Sequence, residues 1–195
     1  MERVNAGRER PVFLLSDEPY RLLAYDGITV PPILPVSPFS VVVGSYSKSL
    51  SLAGERVGYV LVNPAMPEGE KLVAALTLMT RTLGYVNAPI IGQKLVLALM
   101  ESGVDVAVYA RRRAAMAEVL AGAGLTFTLP QGAFYFFVEA PGGDDAAFVG
   151  RLVGENILAV PGRGFGCPGY FRVAFCVDEA IIRNSAAAWQ KAVRG

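Results

Sequence analysis

The chain has 195 residues, a length that predicts one or two domains. Apolar residues make up 53% and charged residues 18%, so the composition predicts a packed core and argues against disorder. The net charge of +1 argues against nucleic acid or an anionic membrane as the main partner. A mean hydropathy of +0.41 is high for a soluble monomer, and it indicates surface buried against a second subunit or against further chain.

The residue types that are absent narrow the chemistry further. The sequence has no histidine, which excludes a Ser-His-Asp triad, a Cys-His pair and a histidine-ligated zinc. Proton transfer must then come from Lys, Tyr, Asp, Glu or a cofactor, and we expect no metal site. Cys167 and Cys176 are the only cysteines, and we expect both to be buried thiols.

No stretch of the sequence is typical of a membrane span or a signal peptide. Arg81, Lys94 and Glu101 interrupt the apolar stretches before they reach about 18 residues. The N-terminus is charged and lacks an apolar signal core. We therefore expect a cytoplasmic protein without a membrane partner.

The first part of the chain reads as α/β. Residues 11–15 form an apolar run typical of a buried strand, and Ser16, Asp17, Glu18, Pro19 and Tyr20 follow it. Carboxylates at the end of such a strand point into the ligand crevice of an open sheet, although Asp17 could equally be a helix N-cap. Further on, the pattern predicts a loop at 21–39, strands at 40–44 and 57–62, and helices at 68–81 and 89–102, the second buried deeply or at an interface.

In the second part the pattern of predicted helices and strands changes and indicates a smaller α+β unit. A helix at 104–123 carries Arg111, Arg112 and Arg113, which we expect on a solvated face. The remaining pattern predicts strands at 125–129, 133–138, 157–160 and 170–175, a helix capped by aspartate at 144–155 and a closing helix at 178–193 with Asp178 as its cap.

One stretch, residues 44–59, combines hydroxyl, amine and guanidinium groups that could form a reactive, anion-binding site. After the strand at 40–44 come Ser45, Tyr46, Ser47 and Lys48, and Arg56 follows the lysine by eight positions. This order places an amine beside a loop of hydroxyls and a guanidinium that can bind an anion.

Three other motifs are weaker. Ser45 and Lys48 match the S-x-x-K pattern of penicillin-binding proteins, but the S-D-N and K-T-G motifs that accompany it do not occur. A phosphate-binding P-loop would need a glycine directly before Lys48. Gly162, Gly164 and Gly166 have the wrong spacing for a dinucleotide site, so we interpret them as a structural turn.

Taken together, Asp17-x-x-Tyr20, Ser45-x-x-Lys48 and Arg56 followed by Gly58-Tyr59 resemble the class I/II aminotransferases, which are fold-type-I pyridoxal-phosphate enzymes. The resemblance extends through residues 85–89 to 171–175. It implies an α/β fold in two parts: residues 1–107 as the C-terminal part of the large cofactor-binding domain with its mixed sheet, and residues 108–195 as a small α+β C-terminal domain. It also implies a homodimer.

The resemblance assigns a role to each residue of the set. Lys48 is the catalytic residue and forms a Schiff base with the aldehyde of pyridoxal 5′-phosphate. Asp17 pairs with the pyridine nitrogen, which makes the ring an electron sink, and Tyr20 donates to the ring oxygen. Ser45, Ser47 and Arg56 bind the phosphate.

Substrate binding is implied at Arg172, which would hold the α-carboxylate of an amino acid or 2-oxo acid with two hydrogen bonds. Tyr85 and Asn87 would approach the neighbouring site of a dimer, and a turn before a helix is an equally good interpretation of them. The substrate side chain cannot be deduced from these residues.

The family's N-terminal half, with the aromatic residue that stacks on the cofactor ring, precedes the Asp-x-x-Tyr strand. The sequence lacks counterparts of these features, so we expect a C-terminal fragment or truncated chain. The leading hypothesis is amino-group transfer between amino acids and 2-oxo acids. A pyridoxal-phosphate-dependent β-lyase or decarboxylating relative and a catalytically inactive folded fragment stay open as alternatives.

Overall fold

The computed structural model describes the backbone of residues 1–195 and every side chain except that of residue 2. The chain divides into a first unit, residues 1–24 and 28–104, and a second unit, residues 25–27 and 105–195. The helices and strands, in chain order, are α1 Glu2–Asn5, β1 Leu14–Asp17, β2 Ser40–Ser45, α2 Tyr46–Ser49, β3 Gly58–Val62, α3 Gly69–Thr82, α4 Ile90–Ala98, α5 Val106–Gly122, β4 Tyr135–Glu139, α6 Asp145–Gly154, β5 Val160–Pro161, β6 Tyr170–Ala174, α7 Glu179–Asn184 and α8 Ala186–Arg194.

The first unit is built on a three-stranded sheet in the order β1-β2-β3. Strand β2 is central, pairs with β1 in parallel and with β3 antiparallel, and buries Val41 and Val42. The predicted strand at 11–15 begins later, at Leu14, whose N–H bonds to the carbonyl of Phe39 at 2.8 Å. Pro11 has no N–H to offer to such a ladder. The α/β prediction is confirmed for this unit.

Helix α3 agrees with the helix predicted at 68–81, whereas α4 ends at Ala98, short of the predicted end at 102. The prediction that this second helix is deeply buried is wrong, because only Gly92 and Val96 of α4 are buried. The apolar side chains that α4 and the residues beside it leave exposed are Ile90, Ile91, Leu95, Leu97 and Met100. Burial at a subunit interface stays a prediction.

The second unit has an antiparallel sheet in the order β4-β6-β5. One face of this sheet forms the core of the unit, and the fully buried side chains on and against it include Phe136, Val138, Phe148, Phe171 and Trp189. Alternation along β4 and β6 therefore buries one face and leaves the other half-exposed.

Two predicted strands of this unit are longer than the observed ones. Their first backbone N–H groups bond to the ends of the preceding helices and not to the sheet. The segment 125–129 keeps a single bridge, Phe127 with Val138, while the N–H of Leu125 bonds to α5. The segment 157–160 contributes only its last residue to β5, because the N–H of Ile157 bonds to the carbonyl of Leu152 in α6.

The predicted helix caps give a mixed result. Asp144 accepts a hydrogen bond from the N–H of Ala147 at 3.2 Å and so caps α6 as predicted. The predicted closing helix is two helices, α7 and α8, that meet at Ser185. Asp178 precedes α7 but makes no capping hydrogen bond, because its carboxylate pairs with Arg112 at 3.2 Å.

Two burial predictions are wrong. Arg113 is only 8% exposed, since it pairs with Asp26, whereas Arg111 is exposed as predicted. Cys176 is exposed and Cys167 is half-buried, because Cys176 lies just beyond the end of β6 and Cys167 in the turn before it.

Among the described residues, no helix combines the length and the apolar character that crossing a bilayer requires. The same residues contain no group of three or more acidic or cysteine side chains arranged to hold a metal ion. The boundary between residues 107 and 108 stays a prediction, since it concerns the large and small domains of the whole fold.

Candidate active site

Asp17 is the last residue of β1, and no helix follows it, so the helix-cap interpretation is wrong. In the parallel pairing of β1 with β2, Asp17 lies beside Val43. Paired residues in a sheet share a face, and alternate residues of one strand share it too. Asp17, Val43 and Ser45 therefore lie on the same face, at the same end of the two strands.

Ser45 ends β2 and also begins α2. Its backbone is extended, and its Oγ accepts a hydrogen bond from the N–H of Ser47 at 3.1 Å, which caps the short helix. The Oγ atoms of Ser45 and Ser47 lie 2.8 Å apart and share a second hydrogen bond. This turn converts the strand into a helix within one residue, and it presents two hydroxyls beside Lys48 on α2.

Lys48 and Tyr20 come together from neighbouring strand ends. The Nζ atom of Lys48 lies 5.9 Å from the centre of the Tyr20 ring, within the range of a cation–π contact. Both side chains are half-buried. The structure thus brings together an amine and a phenol that are 28 positions apart in the sequence.

Arg56 enters the same region from the β3 side. Gly58, two residues on, pairs with Ser45, and the carbonyl of Val57 accepts from the N–H of Tyr46 at 3.3 Å. Arg56 has a left-handed backbone (φ 54°, ψ 42°), a conformation that is uncommon for residues other than glycine and recurs at binding sites. Its guanidinium donates to the carbonyl of Ala53 at 2.7 Å, within its own turn.

Gly44 and Tyr59 support the turn from the other face of the sheet, and the sequence analysis missed this pair. A Cβ atom at Gly44 would lie 2.1 Å from the Cζ atom of Tyr59, so only glycine admits the ring there. The ring of Tyr59 also packs against Tyr46, with 5.4 Å between the ring centres. Pairing the two predicted strands would have revealed this contact, since Gly44 and Tyr59 are direct partners across β2 and β3.

Arg172 belongs to the second unit and lies on the half-exposed face of β6. Its guanidinium carbon is 4.4 Å from the ring centres of both Tyr135 and Phe165. The sequence analysis did not predict these two ring contacts, although Tyr135 and Phe165 stand in motifs that it described as a strand and a glycine turn.

The groups of the first unit define what the site can bind. An amine can react with a carbonyl, and the hydroxyls of Ser45 and Ser47 with the guanidinium of Arg56 are donors suited to a phosphate or carboxylate. Asp17 adds an acceptor on the same face. This donor set suits an anionic ligand that carries a carbonyl group.

One family of known proteins matches most of the chain. Residues 4–188 match the model of the family described as "Aminotransferase class I and II". The chain belongs to this family. The match covers residues of both units, from α1 to the first residues of α8.

Individual relatives give the same result. The chain is 33% identical to the aspartate aminotransferase of Thermotoga maritima over 90% of this chain and 46% of that protein. It is 28% identical to the LL-diaminopimelate aminotransferase of Nitratidesulfovibrio vulgaris over 94% and 49%. The crystal structure of an aminotransferase from Eubacterium rectale, 42% identical, superposes with a TM-score of 0.88 over 95% of this chain and 46% of that one.

These similarities confirm the predicted family and fold class. The chain spans about half the length of the curated relatives that it matches.

Proposed function

We propose that this chain carries the lysine-bearing part of a pyridoxal-phosphate-dependent aminotransferase, which moves an amino group between an amino acid and a 2-oxo acid. The observation that carries the proposal is the position of the Lys48 amine above the Tyr20 ring, at the strand end where Asp17 and Ser45 share a face. Family membership supports it.

The donor set of the first unit fits the cofactor. Lys48 would hold its aldehyde, Asp17 its pyridine nitrogen and Tyr20 its ring oxygen. Ser45 and Ser47 already lie within hydrogen-bond distance of each other, so both hydroxyls can serve one phosphate. Arg56 would exchange its hydrogen bond to the carbonyl of Ala53 for a charge-assisted one to the phosphate.

When bound, pyridoxal 5′-phosphate supplies an aldehyde that exchanges amines and a ring that withdraws electrons from the substrate α-carbon. The Nζ atom of Lys48 would hold that aldehyde when no substrate is present. With substrate bound, the same Nζ atom would be the catalytic base that takes the proton from the substrate α-carbon. Asp17 would pair with the pyridine nitrogen and favour its protonated form, and the hydroxyl of Tyr20 would donate to the ring oxygen.

Arg172 would bind the substrate α-carboxylate. A guanidinium matches a carboxylate with two parallel hydrogen bonds, which fixes the orientation of the bond to be broken. On this proposal residues 1–107 belong to the large cofactor-binding domain and residues 108–195 form the small domain.

We also propose that the whole protein is a cytoplasmic homodimer. The support is the exposed apolar surface of α4, where Ile90, Ile91 and Leu97 are each at least 65% exposed. Tyr85, which is 74% exposed, and Asn87 would then approach the partner's site.

Covalent capture of the cofactor tests the proposal. The chain is mixed with pyridoxal 5′-phosphate, reduced with borohydride, digested and analysed by mass spectrometry. We expect the reduced adduct on Lys48 and its loss in Lys48→Arg, while Lys94→Arg, at an exposed lysine of α4, keeps it. An adduct spread evenly over the lysines, and unaffected by Lys48→Arg, would contradict the proposal.

Product analysis separates transamination from the alternatives. A panel of L-amino acids is supplied with 2-oxoglutarate, and products are identified by mass spectrometry. Transamination gives glutamate and the matching 2-oxo acid, a β-lyase gives pyruvate and ammonia, and a decarboxylase gives an amine and carbon dioxide. Cofactor capture at Lys48 without any of these products would favour the inactive fragment.

A further inference from the structure

Among the described arginines of the second unit that are not exposed, Arg112 and Arg113 have an acidic partner and Arg172 has none. In the second unit, Arg112 pairs with Asp178 and Arg113 pairs with Asp26. For the described part of the chain, no carboxylate lies within salt-bridge distance of Arg172, although its side chain is half-buried. A partly desolvated cation without a counter-charge favours binding of an anion.

The guanidinium of Arg172 has aromatic partners instead. The ring centres of Tyr135 and Phe165 are each 4.4 Å from its central carbon. The ring contacts of these two residues are with others, Tyr135 with Phe134 and Phe165 with Phe137. The guanidinium therefore contacts two rings that come from different elements, Tyr135 from β4 and Phe165 from the turn before β6.

This arrangement restricts what Arg172 can offer a ligand. The N–H bonds of a guanidinium lie in its plane, so rings that pack on its faces leave the edge for hydrogen bonds. The edge is the part that matches a planar carboxylate with two parallel bonds. Contacts with two rings also restrict the rotamers of a long side chain, which lowers the entropy cost of binding.

The position of Phe165 is itself fixed by its 3₁₀ turn, Gly162–Phe165. Asp145, which has no exposed surface, accepts hydrogen bonds from the backbone N–H of Arg163 at 2.9 Å and from its guanidinium at 3.0 and 2.7 Å. These bonds from Arg163 hold the pKa of the Asp145 carboxyl well below its usual range. The turn is therefore tied to α6.

We propose that Tyr135 and Phe165 are positioning residues that hold the Arg172 guanidinium between their rings, with its edge directed to a carboxylate ligand. That this ligand is the α-carboxylate of an amino acid rests on the proposed function. The two rings do not touch reacting atoms in this proposal; they act through Arg172.

The test follows the side-chain Nε–H signal of Arg172 by NMR in the ¹⁵N-labelled 195-residue chain, assigned by its loss in Arg172→Lys. We expect a ring-current shift relative to the exposed Arg194, and a further, saturable shift on titration with acetate against chloride at constant ionic strength. Phe165→Leu and Tyr135→Leu should each raise the Kd for acetate roughly three- to tenfold.

Two variants serve as controls. Tyr135→Phe keeps the ring and should keep the wild-type Kd. Tyr170→Leu removes a ring from the same sheet that stacks on Phe137 rather than on Arg172, and it should also leave the Kd unchanged. An unchanged signal of the buried Trp189 confirms that each variant is folded.

The outcomes separate this proposal from the proposed function. Equal acetate affinity in wild type, Phe165→Leu and Tyr135→Leu would overturn the positioning role, as would an Arg172 signal that acetate does not move. Failure of Lys48 to capture the cofactor, with the Arg172 titration as expected, would instead reject the aminotransferase assignment and leave the positioning role standing.

Discussion

The guanidinium of Arg113 lies 4.4 Å from the centre of the Tyr25 ring, and it also forms a two-pronged ion pair with Asp26 at 2.9 and 2.8 Å. Residues 25–27 belong to the second unit, although the chain on both sides of them belongs to the first. The hydroxyl of Tyr25 donates to the carbonyl of Ala133, so this short segment is anchored by a side chain at each of its first two residues. Its anchoring depends on Arg113.

We expect Arg113→Lys to lower the free energy of unfolding by about 1–2 kcal/mol, because lysine keeps the charge but loses the stack on Tyr25 and the bond to the carbonyl of Pro130. Urea denaturation followed by the fluorescence of Trp189 measures this. The matched change Arg111→Lys, at an exposed position of the same helix, should stay within about 0.5 kcal/mol. Equal midpoints for the two variants would contradict the anchoring role.

Burial raises the pKa of Tyr25 to about 12, although the charge of Arg113 works in the opposite direction. A tyrosine in the unfolded chain titrates near 10, so the unfolded state loses its proton first as the pH rises. The contribution of Tyr25 to stability is thus complete below pH ~10 and is lost between about 10 and 12. In Tyr25→Phe the urea midpoint should fall less steeply across this window, and a parallel fall in both proteins would refute the assignment.

The segment at residues 25–27 shows what the sequence could not predict. Elements with local signals, such as β2 with its valine run and α3 with its apolar spacing, were predicted nearly to the residue. The packing of Tyr25 in the second unit and the burial of Arg113 depend on the contact between Asp26 and Arg113, which are 87 positions apart in the sequence. A single sequence carries no local pattern for such a pairing, and a run of arginines normally faces solvent.

The candidate site divides in the same way. The order Ser45, Ser47, Lys48 could be read directly, since one turn holds all three. The family resemblance implied a common site for Tyr20 and Lys48, and the structure explains their approach, because parallel neighbours such as β1 and β2 end at the same edge. The stacking of Phe165 on Arg172 could not be deduced, since it depends on the path of a 3₁₀ turn. The catalytic and binding roles of these residues stay predictions.

Gly162 provides a sharp test of that turn. A Cβ atom there would lie 2.4 Å from the carbonyl oxygen of Cys167 and 2.6 Å from that of Tyr170. Since both obstacles are backbone, Gly162→Ala should destabilise the chain by about 2–3 kcal/mol and move the Arg172 Nε–H signal toward its unstacked position. Gly164→Ala, which meets nothing within 4 Å, should cost less than about 0.5 kcal/mol. Equal effects in urea denaturation would show that the turn is not constrained.

The contact between Gly44 and Tyr59 is testable because its obstacle is a side chain that can be removed. Gly44→Ala should cost about 1–3 kcal/mol, since the new methyl group displaces the Tyr59 ring from the sheet. In a Tyr59→Ala background the same change should cost less than about 1 kcal/mol, which gives a measurable coupling in a double-mutant cycle. Amide exchange of Val42 and Val43 in β2 reports the local stability. Gly54→Ala, with nothing within 4 Å, is the matched control. Additive effects of the two changes would mean that the ring does not occupy the space that Gly44 leaves, and that Ser45 and Lys48 do not depend on this support.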